Sequence, residues 1–272
     1  MSKCKYDVKT ALEEYFPSLL KLIENREISW KQINSGTEKH LSFYKEKLME
    51  SKESKIIIDC TFYSFIIGNK YRNSKTIPMS DFFNRTFIEL HSRLSNQELD
   101  LLSQIIKKVL TNFDYKYLNF IGELATLNAY KTTGKYLLLN VEEKIFSTKK
   151  SKKADFSFRR NDDGYEFLVE VRNIHLQQRN LDSALKIKNH IENKLREKIE
   201  EKKLNLPHKK DVYIQPVVWV ESEYQIEIIS KLYTDGRMTF KNIFVPMTYV
   251  TYRINGRAFE HRFEYVTTIL ND

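Results

Sequence analysis

The chain has 272 residues, 41% hydrophobic and 30% charged, which excludes a disordered polymer and leaves enough length for a substantial core. Its net charge of +9 favours an anionic partner, nucleic acid before a membrane surface. Two cysteines, Cys4 and Cys60, are too few for a disulfide framework or a structural zinc site. The longest apolar stretch, residues 56–68, is interrupted by Asp59 and too short to span a bilayer. With no signal-peptide pattern at the start, a cytoplasmic protein without membrane contact is expected.

Helical spacing runs through residues 8–24 (Val8, Leu12, Tyr15, Phe16, Leu19, Leu20, Ile23), with a kink or break at Pro17. A second helix is expected over 37–51. Residues 56–67 fit a buried strand or a buried helix, since periodicity does not decide between them. Residues 69–80, with Asn69, Asn73, Ser74 and Pro78, read as a loop, and 81–94 as a short helix. Ser95 with Glu98 forms a capping box before Leu99, Leu102, Ile105, Ile106, Val109 and Leu110. A further helix is expected over 115–132, with Phe120, Glu123 and Leu127 on one face, which puts Glu123 at the edge of an apolar stripe. A strand over 135–141 and the run Lys149, Lys150, Lys152 and Lys153 follow.

Residues 154–173, ADFSFRRNDDGYEFLVEVRN, have the pattern of a β-hairpin. Phe156 and Phe158 alternate with polar neighbours in one arm, and Phe167, Val169 and Val171 in the other. Asn161-Asp162-Asp163-Gly164 supplies residues that tolerate positive φ. A two-residue loop at Asp163-Gly164 sets Asp155 opposite Arg172; a four-residue loop over 161–164 sets it opposite Glu170. Either register puts Asp155, Glu170 and Arg172 on one face and the Phe and Val residues on the other. Paired carboxylates repel unless a cation lies between them, and hard oxygen ligands suit Mg²⁺ or Mn²⁺. Charged residues on a hairpin face also commonly just face water, Glu and Arg forming a weak cross-strand pair.

Asp155, a turn, then Glu170-Val171-Arg172 resembles the PD-(D/E)xK nuclease superfamily. The resemblance covers roughly residues 115–222. It implies that Asp155 and Glu170 hold Mg²⁺ (or Mn²⁺), that the Val171 carbonyl assists, and that Arg172 stands where the family has lysine. It also implies that Glu123, in the setting Gly122-Glu123-Leu124, helps to bind metal. Ala154 replaces the family's proline. Arg172 is the larger departure, because a guanidinium stabilises an anion but does not act as a general base. Lys152, Lys153, Lys186 or Lys188 are candidates to replace the missing lysine in space.

Lys149, Lys150, Lys152 and Lys153 are candidate contacts to backbone phosphates, as are His175 and Gln177, with Gln178 beside it. A long helix over 181–204 carries the stripe Ala184, Ile187, Ile191, Leu195 and Ile199. The mixed charges around it, Lys198 and Lys202 among them, read as a solvated face. Residues 212–220 read as a core strand with a bulge or sheet edge at Pro216. A hairpin is expected around Asn255-Gly256, its arms 250–254 and 258–265.

The expected class is therefore α/β (α+β): a restriction-endonuclease-like mixed sheet flanked by helices over 115–272, a helical region over 1–114 and a C-terminal β-hairpin. The expected function is metal-dependent cleavage of DNA, DNA being favoured over RNA, in a restriction or defence-type endonuclease, with a homodimer as a possible assembly. The alternative is a catalytically inactive nuclease fold that binds nucleic acid or serves in assembly.

Overall fold

A computed structural model of the protein describes all residues except 1–6, 25–27, 51–61, 71–76, 113–115, 147–151, 177–180, 205, 207, 221, 239–241, 245, 255–257 and 266–272. The chain divides into two compact units, Met1–Leu124 and Ala125–Asp272. The expected boundary at 114/115 falls short of the observed one, which lies within a helix.

The first unit is built from helices α1 (Val8–Tyr15), α2 (Pro17–Leu22), α3 (Trp30–Glu50), α4 (Phe62–Lys70), α5 (Ile77–Arg93), α6 (Asn96–Thr111) and the start of α7 (Tyr117–Thr132). Pro17 is the first residue of α2, where its missing N–H costs nothing, so it starts a helix as well as ending one. The Ser95/Glu98 capping box is fully formed. Phe62 begins a helix, which decides the ambiguous stretch for the part that is described. Its ring lies 4.9 Å from Phe16 and 5.8 Å from Phe83, in an aromatic core that Phe65 and Phe87 extend. α4 runs on to Lys70 and α5 starts at Ile77, so both ends of the loop expected over 69–80 are helical; its centre, 71–76, lies outside the described residues.

The second unit is a mixed six-stranded sheet in the order β1 (Tyr136–Lys144), β2 (Lys153–Arg160), β3 (Glu166–His175), β4 (Asp211–Trp219), β5 (Met247–Ile254), β6 (Ala258–Tyr265). β3–β4 and β4–β5 are parallel pairs and the other three are antiparallel. Helix α8 (Ala184–Lys202) forms the crossover from β3 to β4, and α9 (Glu223–Thr234) the crossover from β4 to β5. The sequence reading has no counterpart to α9. Ile187, Ile191 and Leu195 of α8 and Ile228, Ile229 and Leu232 of α9 pack on Ile174, Ile214 and Val218 of one sheet face. On the opposite face Tyr130 of α7 stacks on Phe158, with ring centroids 4.9 Å apart and planes 14° from parallel. The C-terminal hairpin β5–β6 is present and pairs Ile254 with Ala258; its turn lies outside the described residues.

Pro216 lies at an irregularity on one side of β4: between the bridge Ile214↔Ile243 and the first β5 pair, Val217↔Met247, the offset between the two segments grows by one residue, in keeping with the expected bulge or edge. On the other side it pairs with Arg172 of β3. Two residues earlier Ile214 gives its N–H to Asn242 and receives the N–H of Phe244. By the same alternation Pro216 turns its donor-less nitrogen toward that side, in the gap before β5 pairing begins at Val217↔Met247.

Candidate functional site

The β2–β3 register runs Arg159↔Glu166, Phe158↔Phe167, Ser157↔Leu168, Phe156↔Val169. Arg160 donates its N–H to Tyr165, closing a four-residue turn in which Gly164 adopts φ +69° and donates to the Arg160 carbonyl. This is the longer of the two loops the sequence allows, and the next position in the register sets Asp155 against Glu170. The ladder stops there. Asp155 Oδ2 instead accepts the N–H of Val171 at 2.7 Å, which orients the carboxylate across β3. Val171 thus enters the site through its N–H.

The face carrying these carboxylates is covered by α8. Ser157 is fully buried and Glu170 is 1% exposed. Lys198 Nζ lies 2.6 Å from Glu170 Oε1, and Lys202 Nζ lies 2.9 Å from Oε2. Lys202 Nζ also donates to the carbonyl of Lys153 at the start of β2. Glu170 Oε2 is buried and receives no hydrogen bond of good geometry, so Lys202 neutralises it by charge alone. A buried carboxylate with no compensating cation would cost several kcal/mol, which is why both ammonium groups are drawn inward.

Burial, then the negative charge of Glu170, pushes the Asp155 carboxyl up to about 7; Lys202, the Val171 N–H and Lys198 pull it the other way. Lys198 shows the complementary effect. Its burial disfavours the ammonium ion, but the Glu170 carboxylate more than offsets this, so its pKa is raised. The two carboxylates therefore share a shortage of positive charge that the lysines meet only in part.

Lys198 and Lys202, expected from the mixed charges of α8 to lie on a solvated face, are instead turned inward onto Glu170. The buried stripe Ile187, Ile191, Leu195 continues at helical spacing to Lys198 and Lys202, on the side facing the sheet. Ile199, placed in the stripe from sequence, is only partly buried. The signal for the two lysines was this spacing, but mixed charge concealed it. The lysines proposed as replacements are occupied elsewhere: Lys186 pairs with Asp182, Lys188 with Glu192, Lys152 with Glu201 and Lys153 with Glu142.

Arg172, on the same face of β3, hydrogen-bonds to Glu197 at 3.1 Å rather than to either carboxylate of the pair. His175 stacks on Trp219, with centroids 5.7 Å apart and planes 7° from parallel, and burial holds its pKa down to about 4. A neutral, stacked ring is a poor phosphate contact. Glu123 is half-buried on α7, within the first unit. Lys149, Lys150, Gln177 and Gln178 lie outside the described residues.

Among the described residues no group of three or more His, Cys, Asp and Glu side chains converges as a metal site. Asp155 and Glu170 are carboxylates on adjacent strands, the oxygen donors that suit a hard divalent cation, although both Glu170 oxygens face lysine ammonium groups in this arrangement. No helix among the described residues is long and apolar enough to cross a membrane. No protein-family model matches the chain, and no curated protein matches it.

Proposed function

We propose that the chain is a metal-dependent nuclease of the PD-(D/E)xK type that hydrolyses phosphodiester bonds in DNA. One observation carries the reading: a carboxylate pair on a hairpin, Asp155 and Glu170, meets a lysine, Lys198, delivered 2.6 Å from Glu170 by the helix that follows. Lys198 thereby takes the role that Arg172 leaves open. The order strand, hairpin, helix, parallel strand, with helices on both faces of a mixed sheet, supports the same reading, as does the net charge of +9.

In this site Asp155 and Glu170 would hold Mg²⁺ or Mn²⁺, whose chemistry is to activate water and neutralise charge on a phosphoryl group. The Val171 N–H keeps Asp155 oriented. Lys198 holds positive charge beside the position where a phosphoryl oxygen gains negative charge. Cover by α8 and by the flanking β-strands keeps bulk water from screening these charges.

A second reading has its own observation. Both oxygens of Glu170 already face ammonium groups, as in a fold that retains the cluster for stability and binds nucleic acid without cutting it. The two separate in one experiment. Plasmid, linear and single-stranded DNA, and RNA, are incubated with the chain and Mg²⁺ or Mn²⁺, with EDTA controls and the variants Asp155→Asn, Glu170→Gln and Lys198→Met. Metal-dependent cutting that all three variants lose supports the nuclease. Absence of cutting together with salt-sensitive DNA binding supports the binding module.

A further inference from the structure

Beside the carboxylate pair, one turn back along α8, two cations converge on a single exposed carboxylate. Arg172 Nη2 lies 3.1 Å from Glu197 Oε2. Lys194 Nζ lies 3.0 Å from that oxygen and 3.2 Å from Oε1. Glu197 itself is 55% exposed, whereas Arg172 is 23% exposed and its Nε is buried with no hydrogen-bond partner. Arg172 projects from the same face of β3 as Glu170, two residues away, and Lys194 sits one helical turn before Lys198. His190 adds a further ring to this side of α8; burial and Lys194 hold its pKa down, so it adds no repulsion toward a neighbouring cation at neutral pH.

We infer that Arg172 and Lys194 form a phosphate-binding fork for the nucleic-acid backbone, and that Glu197 occupies the fork as a placeholder until a phosphodiester displaces it. A guanidinium Nη2 and an ammonium, at 3.1 and 3.0 Å from one carboxylate oxygen, are placed to recognise an oxygen of a tetrahedral anion. An exposed carboxylate is easily released from such a pair, because water compensates it on leaving. The fork gives Arg172 a binding role in place of the catalytic one its sequence position implies. The inference rests on nucleic acid being the substrate of the adjacent site, and its test is independent of cleavage.

Binding of the full chain to a fluorescent DNA duplex, and to the matching RNA duplex, is followed by anisotropy in EDTA over a series of salt concentrations. Wild type is compared with Glu197→Gln, Arg172→Gln and Lys194→Gln, and far-UV circular dichroism checks each fold. Glu197→Gln is expected to tighten binding about threefold or more, and Arg172→Gln and Lys194→Gln each to lower the salt slope by about one. A purely structural Glu197 would give no gain in affinity on neutralisation. Unchanged or weaker binding by Glu197→Gln overturns the fork, even if Asp155-dependent cutting is found. So does failure of every variant to bind either duplex. Tighter binding by Glu197→Gln in a chain that never cuts upholds the fork and removes only the nuclease reading.

Discussion

Lys198 Nζ and Glu170 Oε1 stand 2.6 Å apart, on a carboxylate that is 1% exposed and that Lys202 also approaches. Breaking a buried pair by neutralising one member leaves the other uncompensated, at a cost of about 3–5 kcal/mol. Glu170 here faces two cations, so Glu170→Gln is expected at the upper part of that range and Lys198→Met at the lower part, since Lys202 remains. Urea unfolding midpoints of the three proteins check the order. A Glu170→Gln chain as stable as wild type would show that the cluster is not buried in solution.

The same cluster predicts a pH dependence with a definite sign. The Asp155 carboxyl has an ordinary value of 3.8 and is pushed up to about 7 in the folded chain. Between these values the unfolded state gives up its proton while the folded state keeps it. This contribution to stability is thus fully present below about 3.8 and is lost as pH rises to about 7. Asp155→Asn removes the dependence, so its stability relative to wild type should rise across that window and level off above it. Thermal unfolding from pH 4 to 8 reads the difference directly.

His175 behaves in the opposite sense. Burial lowers its pKa from 6.5 to about 4, so its contribution is present above 6.5 and is lost as pH falls toward 4. His175→Phe keeps a flat ring against Trp219 and cannot charge. It should reduce the acid sensitivity of unfolding in that interval, and an imidazole proton resonance that titrates near 6.5 in the wild type would contradict the burial.

For cleavage, Lys198 and Arg172 are expected to separate. Loss of a positive charge at the developing phosphoryl anion costs about 10²-fold or more in rate. Lys198→Met should show this with little change in DNA affinity, whereas Arg172→Lys should cut at a rate within a few-fold of wild type. Single-turnover cleavage rates, measured with saturating enzyme, make the comparison.

Gly164 makes the hairpin turn with φ +69°, and a Cβ there would meet nothing within 4 Å. The cost of Gly164→Ala is therefore conformational alone, about 1–2 kcal/mol. A chevron or urea midpoint shift of this size, with wild-type activity retained, is the expected result.

The hairpin was legible because its alternation, its turn residues and its carboxylates are local properties of one twenty-residue stretch. Even its two possible registers could be written down, and the turn geometry of residues 161–164 chose between them. The capping box at Ser95 and the helix start at Pro17 were legible for the same reason. What escaped was contact between elements distant in sequence. Lys198 and Lys202 look like any lysines on a mixed-charge helix until the sheet beneath them presents Glu170. Helix α9 follows an N-cap at Ser222, and its apolar run, Ile226, Ile228, Ile229 and Leu232, is short and interleaved with charge, so the pattern stands out less than that of α8.

Lys198 and Lys202 are four residues apart, so both can reach Glu170 only when α8 holds one rotational phase about its own axis. The residues suited to the chemistry are thereby also the gauge that sets where the helix sits. An alanine scan of α8 would score the same positions for folding and for turnover, and inactive variants would not by themselves reveal which was lost. Charge-preserving replacements such as Lys198→Arg, which keep the ion pair but change the shape of the cation, separate the two.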